Sequence, residues 1–147
     1  PDGKAVIFIA KKDDPVYNIW AVTLQDRSVR KITSYTDWNV GSPSYAPNGA
    51  KILYNLYKES TSQVYVCQAD GSTPFNITND NKSLMPRWAE NGRKIVYCSP
   101  KPGEIALNVV LMNDNGTDPK PITSNVGTSP SWGPQYLTVA LPTPVGK

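Results

Sequence analysis

Short apolar runs alternate with polar turn sequences along almost the whole chain. The runs are about four to six residues long, which suits strands better than helices. Between them, Asn-Gly or Asp-Gly pairs recur at 48–49, 70–71 and 91–92. Asn and Gly tolerate the positive φ angles of tight hairpin turns. The pattern therefore predicts short antiparallel strands joined as meanders.

The same unit recurs three times. Its clearest marks are Ile-Thr pairs at 32–33, 77–78 and 122–123, each 45 residues after the last. An apolar run precedes every pair at a matching offset, a Pro-x-aromatic triplet follows it, and a Gly-containing turn then leads to another apolar run. Four strands in a unit of about 45 residues are typical of a β-propeller blade.

We therefore predict an all-β chain of β-propeller blades, each a four-stranded antiparallel meander. The repeats occupy approximately 1–46, 47–89 and 90–135, and a tail follows at 136–147. The chain opens at a second strand over 5–9 and ends its repeats with a spare first strand at 129–132. In the tail, the run 137–141 is expected to add a strand or to cross to a neighbour.

The residues that carry the repeat resemble those of TolB-type propellers. They read Pro1-Asp2-Gly3-Lys4, Asn18-Ile19-Trp20, Ala69-Asp70-Gly71-Ser72 and Pro130-Ser131-Trp132. The resemblance covers residues 1 to about 134, and it departs at Glu90 and Gln135. It implies a propeller fold and a periplasmic or extracellular location. For function it implies a wide range, from the Tol-Pal system to accessory domains of serine peptidases and many binding proteins.

The repeat count also predicts how the chain assembles. Propellers usually close with about four to eight blades, so three repeats are half of a six-bladed ring. The spare strand at 129–132 would complete the first blade of a second copy at 5–9, which predicts a homodimer. The alternative is that the missing blades belong to a longer polypeptide of which this chain is a part.

Composition and charge exclude several classes of function. The chain has 15 Lys and Arg against 12 Asp and Glu, a formal charge of +3, without long basic runs, so we expect no nucleic-acid partner. No apolar run approaches the roughly 20 residues of a membrane helix. Residues 1–4 lack the features of a signal peptide, as expected of a mature form or of a piece. Since the chain contains no His, it cannot supply a Ser-His-Asp triad or a Cys-His dyad.

No motif in the sequence predicts a metal site or a cofactor. Cys67 and Cys98 lie inside apolar runs without metal-ligand spacing, so we expect buried free thiols. The oxygen-rich segment 113–118 resembles a calcium loop, but it aligns with the hairpin at 67–71, which favours an ordinary turn.

The candidate binding residues lie in loops that share one rim of the predicted propeller. These loops join the fourth strand to the next first strand, at 34–42, 79–85 and 124–128, and the second strand to the third, at 10–17, 56–63 and 100–108. Loops on a rigid scaffold commonly carry recognition. The partner-binding residues that we predict are Tyr35, Asp37, Trp38, Arg87, Lys11 and Lys58.

Two of these predictions have structural alternatives. Tyr35 and Trp38 are either partner anchors, a sugar platform, or packing against the adjacent blade. Arg87 replaces a Ser of the sister repeats on the innermost strand, where alternation points it toward the central channel. It either binds an anionic partner group there or pairs with an acid such as Asp80.

The aromatic residues with repeat spacing are expected to pack between blades. They are Trp20, Tyr45, Trp88 and Trp132.

We therefore predict a non-enzymatic module that binds a protein or peptide through its loop rim and channel mouth. Two alternatives stay open: an accessory propeller of a larger enzyme such as a serine peptidase, and a saccharide-binding propeller.

Overall fold

The residues that the structure describes form three antiparallel sheets. The computed structural model describes residues 2–124 and 127–133. Blade 1 contains β1 (Ala5–Ala10), β2 (Asn18–Thr23) and β3 (Val29–Lys31). Blade 2 contains β4 (Asn39–Tyr45), β5 (Lys51–Lys58), β6 (Thr61–Gln68) and β7 (Phe75–Asn76). Blade 3 contains β8 (Leu84–Ala89), β9 (Lys94–Pro100), β10 (Leu107–Asn113) and β11 (Lys120–Pro121), with a 3-10 turn at Glu90–Gly92.

Consecutive strands pair within each blade, from the inner strand outward. Blades 2 and 3 have four strands in the orders β4-β5-β6-β7 and β8-β9-β10-β11, and blade 1 has three in the order β1-β2-β3. The predicted all-β propeller architecture is therefore confirmed. Because β1 is equivalent to β5 and β9, blade 1 lacks an inner strand, and the inner edge of β1 has no strand partner among the described residues.

The Ile-Thr pair makes the same two contacts in every blade. Its Thr hydroxyl oxygen accepts the N–H of a third-strand residue 14 positions earlier, at 2.9 Å each time. Its Ile donates a backbone N–H to the carbonyl of that same third-strand residue. The pairs and their third-strand partners are Ile32-Thr33 with Ile19, Ile77-Thr78 with Val64, and Ile122-Thr123 with Val109.

Side chains on opposite faces of each strand enter different blade junctions, as the two-residue period of a strand requires. In β5, Ile52 and Tyr54 pack toward blade 1, whereas Leu53 packs toward blade 3. We call the contact between blades 1 and 2 the first junction, and that between blades 2 and 3 the second junction. The first junction also buries Ile19, Ala21, Ile32 and Cys67, and the second buries Val64, Ile77, Ile95, Tyr97 and Met112.

The outer faces of blades 1 and 3 expose residues that are buried in the sister blades. Val6 is 48% exposed, whereas the equivalent Ile52 and Ile95 are 0% exposed. Ile122 is 55% exposed, whereas the equivalent Ile32 is 7% exposed. Each of these side chains is therefore covered only where a neighbouring blade is present.

In blades 2 and 3, a glycine in the turn between the third and outermost strands lies directly against the backbone of the preceding blade. Gly71 has a φ of +91°, and a Cβ at this position would lie 1.9 Å from the carbonyl oxygen of Ile32. Gly116 repeats the arrangement, with 2.9 Å to the carbonyl oxygen of Ile77. Only glycine accommodates both the left-handed backbone and this close approach.

The inner strands share a left-handed residue. Ser42 and Met85 have φ angles of 49° and 55°, where β4 and β8 shift register against the next strand. Ser129, at the equivalent position, has a φ of 54°. The backbone at the start of the predicted spare strand thus resembles that of an inner strand, although no strand is assigned over 127–133.

Some details differ from the sequence-based predictions. The expected long loop at 56–63 is a tight hairpin, because β5 and β6 pair as far as Lys58 and Thr61, with Glu59 at a φ of 53°. Trp132 is 40% exposed and belongs to neither junction core, since no described strand covers it. The predicted tail at 136–147 lies outside the described residues.

Replacing Gly71 with Ala should destabilise the fold far more than Gly103→Ala. Gly103 is a matched control because its φ is +82° and nothing lies within 4 Å of the place that an added methyl group would take, so its substitution adds only backbone strain. That strain costs about 1 to 2 kcal/mol at either site. At Gly71 the methyl group also meets the backbone of Ile32, which adds roughly 1 to 3 kcal/mol. Urea unfolding of both variants measures the difference, and equal losses would contradict the seating of Gly71 on blade 1.

Candidate functional site

The predicted rim loops gather on one side of the described blades. The loop between β3 and β4 crosses from blade 1 to blade 2, and the loop between β7 and β8 crosses from blade 2 to blade 3. The second of these is tied to β6, because the Ser62 N–H donates to the carbonyl of Asn81 at 2.9 Å. The Asn-Gly and Asp-Gly turns lie at the other ends of the strands.

Tyr35 and Trp38 pack on the adjacent blade. Both are half-buried against the core of the first junction, and the hydroxyl groups of Tyr35 and Tyr54 lie 2.8 Å apart. Burial raises the pKa of Tyr35, with a smaller opposing effect of its hydrogen bond to Tyr54. Together with Leu56 and Tyr65, these two aromatic residues line a cleft of about 320 Å³. They therefore combine structural packing with a surface that borders an open cleft.

A buried amide holds the loop that carries Tyr35. Asn18 is 0% exposed, and its side-chain oxygen accepts hydrogen bonds from the Tyr35 N–H at 2.8 Å and from the Thr33 hydroxyl at 3.0 Å. Its side-chain nitrogen donates to the Tyr35 carbonyl at 2.9 Å. The backbone of Tyr35 is consequently fixed to β2 before its ring reaches the neighbouring blade.

The charged residues predicted for this rim include an ion pair. Lys58 Nζ lies 2.8 Å from Asp37 Oδ2, and the hydrogen bond to this carboxylate raises the pKa of Lys58. Both side chains are well exposed, so the pair contributes little to stability. The third charged residue, Lys11, is exposed and lies 5.2 Å from the ring centre of Tyr17. The structure thus brings Asp37 and Lys58 together, while Lys11 lies in the loop between β1 and β2.

Arg87 is exposed on the inner strand of blade 3. Its guanidinium donates to the carbonyl of Pro86 at 2.9 Å, and no carboxylate of the described residues lies within ion-pair distance. Of the two alternatives for Arg87, the pair with Asp80 is not present: the Asp80 carboxylate accepts hydrogen bonds from Ser83 and Ser99 instead. Trp88, the next residue, packs on the second junction and donates its indole N–H to the Ser44 carbonyl at 3.1 Å. Arg87 is exposed whereas Trp88 packs on the junction, as alternation along a strand requires. That Arg87 faces the central channel stays a prediction.

Asp80 organises a part of the rim that the sequence-based reasoning did not select. Its carboxylate accepts hydrogen bonds from the Ser83 hydroxyl at 2.8 Å and from the backbone N–H groups of Lys82 and Ser83 at 3.1 and 3.0 Å. The Ser99 hydroxyl donates a further, short bond. Burial and, secondarily, the charge of Asp80 raise the pKa of Tyr97 to about 12. Alignment of the repeats could have pointed to this residue, since Asp80 occupies the position that Tyr35 has in the preceding repeat.

A second overlooked group lies on the outer face of blade 1. The ammonium groups of Lys12 and Lys31 lie 4.4 and 5.7 Å from the ring centre of Trp20. Lys31 also pairs with Asp14 at 2.5 Å. The ring of Trp20 is half-buried beneath these cations. That Trp20 packs between blades stays a prediction, because no described blade covers this face.

The cysteines are free and buried, as predicted. Burial raises the pKa of Cys67 to about 11, and burial also raises the pKa of Cys98. Both thiols are therefore poor nucleophiles near neutral pH.

No group of three or more His, Cys, Asp or Glu side chains is arranged to hold a metal ion in the part of the chain that the structure describes. None of the helical segments within 2–124 and 127–133 is long and apolar enough to cross a membrane.

Comparison with known proteins gives a consistent picture of the family. The sequence model of the TolB beta propeller domain matches residues 1–142. The chain is 27% identical over 128 residues to the uncharacterized peptidase YuxL of Bacillus subtilis, covering 81% of this chain and 19% of that protein. It is 28% identical over 95 residues to the Tol-Pal system protein TolB of Desulfosudis oleivorans, covering 62% of this chain and 21% of that protein.

Among solved structures, a putative TolB from Agrobacterium tumefaciens superimposes with a TM-score of 0.74 at 22% identity. The match covers 90% of this chain and 51% of that one. At this identity the likeness concerns the fold alone. The chain spans about a fifth of the length of the two sequence relatives.

Proposed function

Because the chain belongs to the TolB beta propeller domain family, we propose that it is a non-enzymatic part of a β-propeller that binds a protein or peptide partner. The partner contacts the loop rim of the first junction and the mouth of the channel. A periplasmic or extracellular location, as the family resemblance implies, is part of this proposal. Support for a non-enzymatic role comes from the sequence, which contains no His for acid-base or nucleophilic chemistry.

One observation supports the proposal: the rim of the first junction combines a held aromatic pair with an exposed ion pair, and Arg87 is exposed on the inner strand of blade 3. Tyr35 and Trp38 border a cleft, and Asp37 and Lys58 form an exposed ion pair in the adjoining loop and hairpin. Arg87 presents its guanidinium without a carboxylate partner among the described residues. Aromatic and Arg side chains surrounded by polar groups are enriched in protein interfaces.

Exchanging the charges of the Asp37–Lys58 pair tests whether a partner recognises which position is negative and which is positive. The double variant Asp37→Lys, Lys58→Asp keeps an ion pair at this position but exchanges its charges. Partner affinity should fall roughly tenfold while the melting temperature stays unchanged, since exposed pairs contribute little to stability. Binding is measured by calorimetry with the partner that is captured by the 147-residue chain and identified by mass spectrometry.

Arg87→Ser extends the same test to the channel. Ser is the residue that the sister repeats carry at 44 and 131, so the change fits the local strand. We expect weaker binding, and Arg93→Ser, on the turn side of blade 3, serves as the charge-matched control. If the exchanged pair and Arg87→Ser both bound the partner like the wild-type chain, the proposed contact surface would be wrong.

A second candidate function is that of an accessory propeller in a larger enzyme. The similarity to YuxL, which is named an uncharacterized peptidase and of which this chain covers 19%, favours this candidate. The propeller would then position substrate for a catalytic domain outside these residues. The flanking coding sequence decides between the two candidates: a hydrolase domain fused in frame would favour the accessory role and would overturn the first proposal.

We also propose that two copies of this chain associate into a six-bladed ring, residues 129–133 of each pairing with residues 5–9 of the other. The unpaired inner edge of β1 supports this, since exposed strand edges readily recruit another strand. The backbone of Ser129 also supports the pairing, because its φ of 54° matches the 49° and 55° of Ser42 and Met85 in the inner strands of the sister blades. Pairing would also cover Val6 and Ile122, which are exposed in one copy.

Light scattering should therefore give a mass near twice 16.1 kDa. Deletion from Thr128 onward should abolish the dimer, because it removes the strand that pairs with β1. A stable monomer at micromolar concentration would contradict the ring of two copies and would favour blades supplied by a longer polypeptide.

A further inference from the structure

The two blade junctions open onto the rim through equivalent clefts. The cleft of the first junction has a volume of about 320 Å³ and that of the second junction about 410 Å³. Both are lined by the preceding blade's rim loop and by the second, third and outermost strand regions of the following blade. Four lining positions correspond through the repeat: Tyr35 with Asp80, Leu56 with Ser99, Tyr65 with Val110, and Pro74 with Pro119.

The aromatic rings of Tyr35 and Tyr65 in the first cleft correspond to Asp80 and Val110 in the second. In the first, Tyr54 stacks on Tyr65 with ring centres 5.9 Å apart, and its hydroxyl lies 2.8 Å from that of Tyr35. In the second, Tyr97 occupies the place of Tyr54, but its neighbours at the equivalent positions are Val110 and Asp80. The loss of two phenol rings leaves open space beside Tyr97. The second cleft is therefore wider and carries charged groups at its wall.

The charged residues that line this cleft, Lys82 and Lys101 against Asp80, leave a net positive charge. Asp80 lines it, but hydrogen bonds from Ser83, Ser99 and the Lys82 backbone already occupy its carboxylate. Lys82 and Lys101 line the same cleft, and neither has an ion-pair partner in the described part of the chain. Two unpaired ammonium groups beside a saturated carboxylate favour an anionic ligand.

A smaller apolar cleft continues the surface. It has a volume of about 270 Å³, is lined by Leu84, Ile105 and Leu107, and shares Lys82 and Pro100 with the cleft of the second junction. Ile105 is 96% exposed at the tip of the loop between β9 and β10. Adjacent clefts suit alternate side chains of an extended peptide, which lie on one side of its backbone.

We propose that the two adjoining clefts at the second junction bind an extended acidic peptide segment. An apolar side chain enters each cleft, and a carboxylate lies near Lys82 and Lys101. This site goes beyond the proposed function, because it uses neither the aromatic pair of the first junction nor Arg87. Open, two-part clefts fit a peptide better than a compact metabolite, which pockets usually enclose.

Two matched peptides test the proposal. Acetyl-Leu-Ser-Leu-Ser-Glu-amide, whose carboxylate lies on the same side of an extended backbone as its two Leu side chains, is titrated into the isotope-labelled 147-residue chain and followed by amide chemical shifts. Acetyl-Leu-Ser-Leu-Ser-Lys-amide is the opposite-charge control. The acidic peptide should produce saturable shifts at Lys82, Ser99 and Lys101, and the basic peptide should not. Raising salt from about 50 to about 500 mM should weaken the acidic peptide several-fold, because the contact is electrostatic.

The sister cleft supplies the blocking variant. Val110→Tyr restores the residue that blade 2 carries at this position and should place a ring on Tyr97, as Tyr65 stacks on Tyr54. We expect acidic-peptide binding to weaken by about tenfold or more. Lys82→Gln and Lys101→Gln, which alter surface residues only, should each weaken it by roughly threefold to tenfold. Lys4→Gln at the opposite face and Lys58→Gln at the first junction should leave it unchanged.

Three outcomes would overturn the assignment. They are an equal response to the basic peptide, an acidic-peptide affinity that survives both lysine substitutions, and saturable shifts of the same size from acetate at equal carboxylate concentration. Because Lys58 belongs to the rim proposed for the protein partner, loss of binding in Lys58→Gln alone would place the peptide at the first junction and would also contradict this site. If the partner test at Asp37 and Lys58 fails, the proposed peptide site is unaffected, because it does not include these two residues.

Discussion

The contact on which the rest of the structure depends is the attachment of each Ile-Thr pair to the third strand of its own blade. The outermost strands are only two or three residues long, so regular sheet pairing alone gives them few hydrogen bonds. The Thr hydroxyl adds a bond to a third-strand N–H, and the Ile N–H bonds to the carbonyl of that same residue. This fixes the Ile side chain on the blade face, where the next blade covers it and where Gly71 or Gly116 approaches its carbonyl.

Stability in such a chain comes from each blade and its contacts with its neighbours, as in other repeat architectures. Ile32, which the next blade covers, is 7% exposed, whereas the equivalent Ile122, which no described blade covers, is 55% exposed. The same framework leaves the rim loops free to differ. Tyr35 closes the first junction with an aromatic ring, whereas Asp80 at the equivalent position organises hydroxyl groups and leaves a wider cleft. Recognition can therefore vary between junctions without any change in the seating of the blades.

The repeat allowed the strands, their order and the missing inner strand of blade 1 to be predicted, because Ile-Thr, Pro-x-aromatic and the Gly turns each have one structural role per blade. It could not predict the tight hairpin at 59–60, since nothing in the residues 56–63 marks where strand pairing ends. It also missed the site around Asp80, because contacts such as Ser99 to Asp80 join positions that are distant in sequence. For Trp38 the sequence left packing and partner binding open, and the crossing of the loop onto blade 2 packs it against the first junction.

The most direct test of this account compares Thr78→Val with Thr78→Ser by urea unfolding. Val keeps the shape of Thr but removes the hydroxyl oxygen that accepts the Val64 N–H, whereas Ser keeps this oxygen. The account predicts that Val lowers the free energy of unfolding by about 1 to 3 kcal/mol, because the N–H is left buried without a partner. Ser should cost less than about 1 kcal/mol, the value expected for one lost methyl group. Equal effects of the two substitutions, or no effect of Val, would contradict the central role of this contact.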